Sequence, residues 1–66
     1  MKTLLKQYEM ESPSQYFEMV RESKLNGQHK QAKEQFKAMP KAFQKQLVEE
    51  LSQESHEEFM YFFRLL

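Results

Sequence analysis

Apolar residues recur at helical spacing along the chain, and polar signals separate the segments. In the first clear segment the apolar face is made by Pro13, Tyr16, Phe17 and Val20, with Met19 at its margin. Spacings of three and four residues place side chains on one side of an α-helix. Ser12 and Gln15 form a capping box before this segment, and Asn26-Gly27 is a typical stop signal after it. We therefore predict a helix over about residues 13–25.

A second apolar stripe is made by His29, Ala32, Phe36 and Met39. It predicts a helix over about residues 28–38. Pro40 disfavours helical geometry at Met39 and lacks a backbone donor, so we interpret Pro40 as the first residue of a third helix, over 40–51. The alternative is one kinked helix over 28–51, because the stripe continues in phase as far as Leu51.

The two ends of the chain give signals of unequal strength. Ser55 and Glu58 form a second capping box, which predicts a last helix over about residues 56–66. The face of that helix predicted to be apolar holds Phe59, Phe62, Phe63 and Leu66. Residues 1–11 have apolar side chains at helical spacing but no start signal, so they are interpreted as a short helix or an arm on the core.

The composition favours an all-α fold. The chain of 66 residues holds no isoleucine and only three β-branched residues, Thr3, Val20 and Val48, whereas strands are enriched in such residues. Its ten glutamates, eight glutamines and eight lysines are good helix formers. We predict a single domain over 1–66, built as a small antiparallel bundle of three to four short helices, or two αα-hairpins.

One stretch resembles a known repeat. Residues 27–40 have the spacing G-x4-A-x3-F-x2-M-P, which is similar to the second helix of a pentatricopeptide repeat. Residues 16–27 have the length of the first helix of such a repeat, so the similarity covers about 25 residues and one unit, and the pattern does not recur after Pro40. Because solenoid repeats need several units to bury a continuous core, we interpret the spacing as that of any tightly packed αα-hairpin and assign no family.

The residue types argue against catalysis and against a cofactor or metal. Cysteine and aspartate are absent, and most serines stand where helix caps are expected, so no nucleophile–base arrangement is apparent. His29 and His56 lie in separate predicted helices, and a metal site needs three or four convergent ligands. We interpret each histidine as a partly buried residue at the edge of the core. We expect no enzyme, no catalytic residue, no cofactor and no metal.

Charge is unevenly distributed, although the formal net charge is zero. Residues 28–45 carry five lysines and one glutamate, whereas residues 46–66 carry five glutamates and one arginine. The lysines are Lys30, Lys33, Lys37, Lys41 and Lys45. They form a track that could neutralise nucleic-acid phosphates. The interpretation we favour is a solvated face, with Lys30–Glu34 and Lys45–Glu49 paired at four-residue spacing.

The last helix is too apolar for a surface helix. Six of the eight residues from Phe59 to Leu66 are Phe, Met or Leu, whereas such a helix usually buries a single stripe. We expect Phe59 and Phe63 in the core and Met60 and Leu65 in an outer interface, with Tyr61 and Arg64 at its edge. Phe63→Ala is then expected to cost about 3–5 kcal/mol.

These observations lead to a functional expectation. We expect a small protein-binding module, an adaptor or regulator, whose partner-binding residues are Met60, Tyr61, Arg64 and Leu65. Self-association into a homodimer through the last helix is one form of this expectation. The alternative is a nucleic-acid-binding accessory protein that uses the lysine track. No apolar run is long enough to span a bilayer, and no signal-peptide pattern is present, so we expect a cytoplasmic protein.

Overall fold

Five helices and no strand make up the structure, a computed structural model that describes all 66 residues. They are α1 (Lys2–Gln7), α2 (Pro13–Leu25), α3 (His29–Ala38), α4 (Lys41–Glu54) and α5 (His56–Phe63). Helices account for 77 % of the residues, so the prediction of a small all-α bundle is confirmed. The count exceeds three to four because the segment before residue 8 forms a helix of its own.

The helices pack as two hairpins, α2 on α3 and α4 on α5. Between the hairpins, Met39 has extended backbone geometry (ψ 147°) and Pro40 precedes the first residue of α4. The chain therefore has two helices here and not one kinked helix. The carbonyl of Met39 is satisfied by Gln44, whose Nε2 donates to it at 2.7 Å.

The core lies where the two hairpins meet. Its ten buried apolar side chains are Tyr16, Phe17, Val20, Ala32, Phe36, Met39, Leu47, Val48, Leu51 and Phe62. Nine of them come from α2, α3, α4 and the Met39 turn, and α5 contributes only Phe62. Helix α1 contributes no buried residue and rests against this core through Leu4 and Leu5.

Two helices end in the same hydrogen-bonded turn, which needs one residue with positive φ. After α2, Gly27 (φ 80°) fills that position, and the amide of Gln28 donates to the carbonyl of Ser23. After α1, Glu9 (φ 56°) fills it, and the amide of Met10 donates to the carbonyl of Leu5. This is the Schellman arrangement, in which glycine is the favoured residue.

Glu9→Gly is expected to stabilise the fold by about 0.5–1 kcal/mol. A side chain in the left-handed region costs about 1–2 kcal/mol, and the greater freedom of an unfolded glycine offsets part of the gain. The melting temperature should therefore rise by a few degrees. Glu11→Gly is the matched control, because Glu11 lacks a positive φ and the same substitution there should lower stability. A lower melting temperature for Glu9→Gly contradicts the expectation.

Neither predicted capping box forms completely. The Ser12 side chain makes no cap bond, so that prediction is wrong; instead Gln15 Oε1 accepts a hydrogen bond from the amide of Glu11. Ser55 does cap α5, since its Oγ accepts from the amide of Glu58 at 3.4 Å. The Glu58 carboxylate, however, turns away from the cap and binds α2.

Helix α5 faces the core with a different side from the one predicted. Glu58 and Phe62 are its buried residues, whereas Phe63 is 51 % exposed. The expectation that Phe63 lies in the core is therefore wrong, and so is the cost expected for Phe63→Ala. The helix also ends at Phe63, and the chain continues to Leu66 in turns whose amides donate to the carbonyls of Phe62 and Phe63.

Candidate protein-interaction surface

A buried ion pair orients α5. Arg21 of α2 donates to Glu58 from Nε at 2.8 Å and from Nη2 at 3.0 Å, and its other terminal nitrogen lies 3.6 Å from Glu54. The Glu58 side chain is only 8 % exposed. Hydrogen bonding from Arg21 lowers the pKa of Glu58 although burial opposes the change, so the carboxylate is charged. With Glu58 turned inward, Phe62 lies one turn later on the same side.

A second set of contacts fastens the neighbouring flank of α5 to the first hairpin. Lys24 Nζ lies 2.9 Å from the carboxylate of Glu57 and 5.7 Å from the ring centre of Tyr61. The Tyr61 hydroxyl donates to the carbonyl of His29 at 3.2 Å. These contacts join α5 to both α2 and α3. They leave the opposite flank of α5 without polar contacts to the first hairpin.

The outward flank of α5 and the turn that follows it carry a row of apolar and aromatic groups, which we call the aromatic seam: His56, Phe59, Phe63 and Leu66. The rings of Phe59 and Phe63 stack at 5.4 Å between centres, and those of His56 and Phe59 lie 6.2 Å apart. Phe59 is half-buried, while His56, Phe63 and Leu66 are exposed. The first three residues share one flank of α5, and Leu66 follows in the turn after the helix.

Charged groups lie near α5, but the acidic ones face α2. Lys41 Nζ donates to the carbonyl of Leu66 at 3.3 Å. Glu54 and Glu57, whose side chains are 57 % and 85 % exposed, pair with Arg21 and Lys24 of α2. These two carboxylates therefore are not part of the aromatic seam.

The structure does not bring the four predicted interface residues together on one open surface. Met60, Tyr61 and Leu65 are half-buried, and the last two pack against the core, while Arg64 is exposed. Phe63, which we expected inside, is the most exposed aromatic ring. No sequence signal pointed to this arrangement, because the buried Glu58 contacts Arg21, which lies 37 residues earlier in the chain.

The lysine track is solvent-exposed in all five positions. None of these lysines lies within ion-pair distance of a carboxylate, so the predicted pairs Lys30–Glu34 and Lys45–Glu49 are wrong. Exposed pairs of this type contribute only about 0.3–0.5 kcal/mol when they form. Lys41 alone has a polar contact, with the carbonyl of Leu66.

The buried hydroxyls of Tyr16 and Ser23 make hydrogen bonds within the fold. The Tyr16 hydroxyl donates to the carbonyl of Gln35 at 2.7 Å, and burial raises the pKa of Tyr16 to about 12. Ser23 donates to the Gln35 side chain at 2.9 Å. Both groups are buried and already paired, which leaves neither as an accessible nucleophile.

No group of three or more metal-ligating side chains converges in the structure. His29 and His56 are both exposed, so the expectation that they are partly buried is wrong; each instead lies near an aromatic ring, Tyr61 at 5.4 Å and Phe59 at 6.2 Å. A groove of about 210 Å³ runs between α2 and α4, and the already paired Arg21 lines it.

The fold and its surface define a class of protein: a small all-α bundle with one open aromatic face. No helix combines the length and the apolar character needed to cross a bilayer. No protein-family model, no curated protein and no solved structure matches this chain.

Proposed function

We propose that this protein is a small non-enzymatic binding module, an adaptor or regulator, that docks a protein partner on the aromatic seam. The observation that carries the proposal is the exposure of Phe63, at 51 %, beside the exposed Leu66 and the half-buried Phe59. Contiguous apolar patches of this kind mark interaction sites, and aromatic side chains are enriched in the centres of interfaces.

The fold has no evident use for an aromatic ring at position 63. Phe62 already fills the core position and packs on Phe36 with ring centres 5.2 Å apart. Leu25 is more exposed, at 65 %, but it borders a pocket lined otherwise by Glu18, Arg21 and Glu22. Single exposed apolar residues are normal. The aromatic seam differs because its apolar groups are adjacent.

Site-specific photocrosslinking tests the proposal. A photoreactive phenylalanine analogue at position 63, introduced in the organism that encodes the protein, should give defined adducts, because the partner covers that ring. The same analogue in place of Leu25 is the matched control, being exposed on another face. Defined adducts from position 63 that disappear when Phe59→Glu is added support the proposal. Adducts from neither position, or equally from both, overturn it.

A second candidate, nucleic-acid binding, is favoured by one observation: all five track lysines are exposed without a carboxylate partner. If each neutralises one phosphate, the slope of log K against log salt on duplex DNA should approach about −4.5. Lys33→Glu with Lys37→Glu should then abolish binding, whereas Lys2→Glu with Lys6→Glu is the control pair. No binding at low salt removes this candidate.

A further inference from the structure

We propose that residues 1–10 form a strap that opens as a unit while the rest of the bundle stays folded. The strap comprises Met1, helix α1 and the turn through Met10. When closed, it covers apolar surface of the core beside Tyr16, and when open, it exposes that surface. This inference concerns a different part of the chain from the aromatic seam and does not rest on the proposed function.

Only apolar contacts hold the strap on the core. None of its residues is buried, and the side chains that pack against the core are half-buried: Met1, Leu4, Leu5 and Met10. Its backbone hydrogen bonds stay within the strap, as where the amide of Met10 donates to the carbonyl of Leu5. No side-chain hydrogen bond and no ion pair joins it to residues 11–66. The strap can therefore leave the core without breaking a polar contact.

The rest of the chain holds its own core. All ten buried apolar side chains lie between Tyr16 and Phe62. The polar contacts that join separate helices also belong to this part of the chain, among them the Arg21–Glu58 ion pair. A segment opens locally when it loses only the contacts that it makes itself. The strap should therefore open at a much lower free energy than the unfolding of the whole chain.

Two features of the closed strap favour its opening. Helix α1 has six residues, and an isolated helix of that length is not stable in water, so a strap that leaves the core also loses its helix and gains conformational entropy. The turn after α1 holds Glu9 at φ 56°, in the left-handed region that disfavours every residue with a side chain. Opening releases this constraint.

The strap covers the edge of a core residue. The ring of Tyr8 meets the ring of Tyr16 edge to face, with centres 5.7 Å apart. Tyr8 is 40 % exposed, whereas Tyr16 is completely buried and its hydroxyl is bonded to the carbonyl of Gln35. That hydrogen bond lies outside the strap and keeps the Tyr16 ring in place. Opening should therefore expose the Tyr16 ring on an otherwise folded bundle.

Amide hydrogen exchange at low urea concentrations tests whether the strap opens alone. Relative to their rates in an unfolded chain, the amides of Leu5, Tyr8 and Met10 should exchange at least about 100-fold faster than the amide of Leu51 in α4. Their rates should change little with urea, because opening of the strap exposes little surface. Strap amides that exchange with the rate and the urea dependence of Leu51 overturn the proposal.

Glu9→Gly tests the contribution of the turn. The strap is closed in most folded chains, so relieving the turn stabilises the closed strap and the fold together. Exchange of the Met10 amide should slow about two- to fivefold, the factor that corresponds to the stabilisation expected for this substitution. Glu11→Gly is the matched control and should not slow it. Unchanged or faster exchange in Glu9→Gly overturns the part assigned to this turn.

Leu5→Glu tests what the strap covers. A charge at this half-buried position disfavours the closed strap, and circular dichroism should still show a folded bundle. In protein labelled with 3-fluorotyrosine, a soluble gadolinium chelate should then relax the Tyr16 fluorine several-fold faster and leave that of Tyr61 unchanged. Thr3→Glu, exposed on the same helix, is the matched control and should leave Tyr16 protected. A Leu5→Glu chain that unfolds completely, or a Tyr16 that stays protected while the strap amides exchange freely, overturns the proposal.

Discussion

Phe62→Ala is expected to destabilise the protein by about 3–5 kcal/mol, the cost of removing a large aromatic group from a packed core. Phe62 is completely buried and packs on Phe36 with ring centres 5.2 Å apart. It is also the only buried apolar residue that joins α5 to the core. Because this cost approaches the whole stability of a small domain, circular dichroism should show a largely unfolded chain.

Phe63→Ala is the matched control for this substitution. The ring is half exposed and stacks on Phe59, so its removal should cost about 0.5 kcal/mol when unfolding is measured in dilute solution. If Phe62→Ala does not fold, Phe62→Leu should still fold with a loss of about 1–1.5 kcal/mol. Equal losses for Phe62→Ala and Phe63→Ala would contradict the observed orientation of α5.

Glu58→Ala is expected to have the second-largest effect, a loss of about 2–3 kcal/mol. Removing one partner of a fully buried ion pair costs about 3–5 kcal/mol, and the 28 % exposure of Arg21 lets water recover part of this. Urea unfolding at neutral pH measures the loss. Glu57→Ala is the control, because Glu57 is 85 % exposed and its pair with Lys24 should contribute less than about 1 kcal/mol.

The same ion pair gives a pH dependence with a definite sign. The pKa of Glu58 in the folded chain lies below its ordinary value of 4.5 because of the Arg21 hydrogen bonds. The unfolded chain therefore binds a proton more readily than the folded one, and the stabilisation is complete above pH 4.5. It is lost as the pH falls through the folded pKa. In Glu58→Gln the free energy of unfolding should depend less on pH in this acidic range. An unchanged pH dependence in that variant would contradict the assignment of the effect to Glu58.

The class of fold could be predicted from sequence because its signals are local. Asn26-Gly27 specifies a helix end that only needs one residue with positive φ, and Pro40 prevents a helix from continuing through Met39. Stripes in α2, α3 and α4 alternate clearly with polar residues, so they indicate which side is buried. Local chemistry of this kind does not depend on where the other helices lie.

The orientation of α5 could not be predicted, because it depends on a contact across the chain. Six of its last eight residues are apolar, so the pattern gives no single preferred side. The side is set by Arg21, which lies 37 residues before Glu58 in the sequence. From the sequence, Glu58 has only a local role in a capping box, and the apolar spacing places Phe63 on the same face as Phe62.

The interface residues predicted from sequence are not the most exposed apolar ones. Met60 and Leu65 flank the predicted apolar side and are half-buried, whereas Phe63 and Leu66 are exposed. The predicted lysine–glutamate pairs do not form, for a different reason. Exposed side chains at four-residue spacing gain little from pairing, so spacing alone does not determine whether they form an ion pair.

The outward position of Phe63 is the central claim, since the proposed docking of a protein partner depends on it. Paramagnetic relaxation of ring protons by a soluble gadolinium chelate measures it directly, in a solution dilute enough to keep the chains apart. The structure predicts strong relaxation for Phe63, weaker relaxation for Phe59 and almost none for Phe62. A Phe62 ring that relaxes as strongly as Phe63, or a protected Phe63 in the monomer, would contradict the claim.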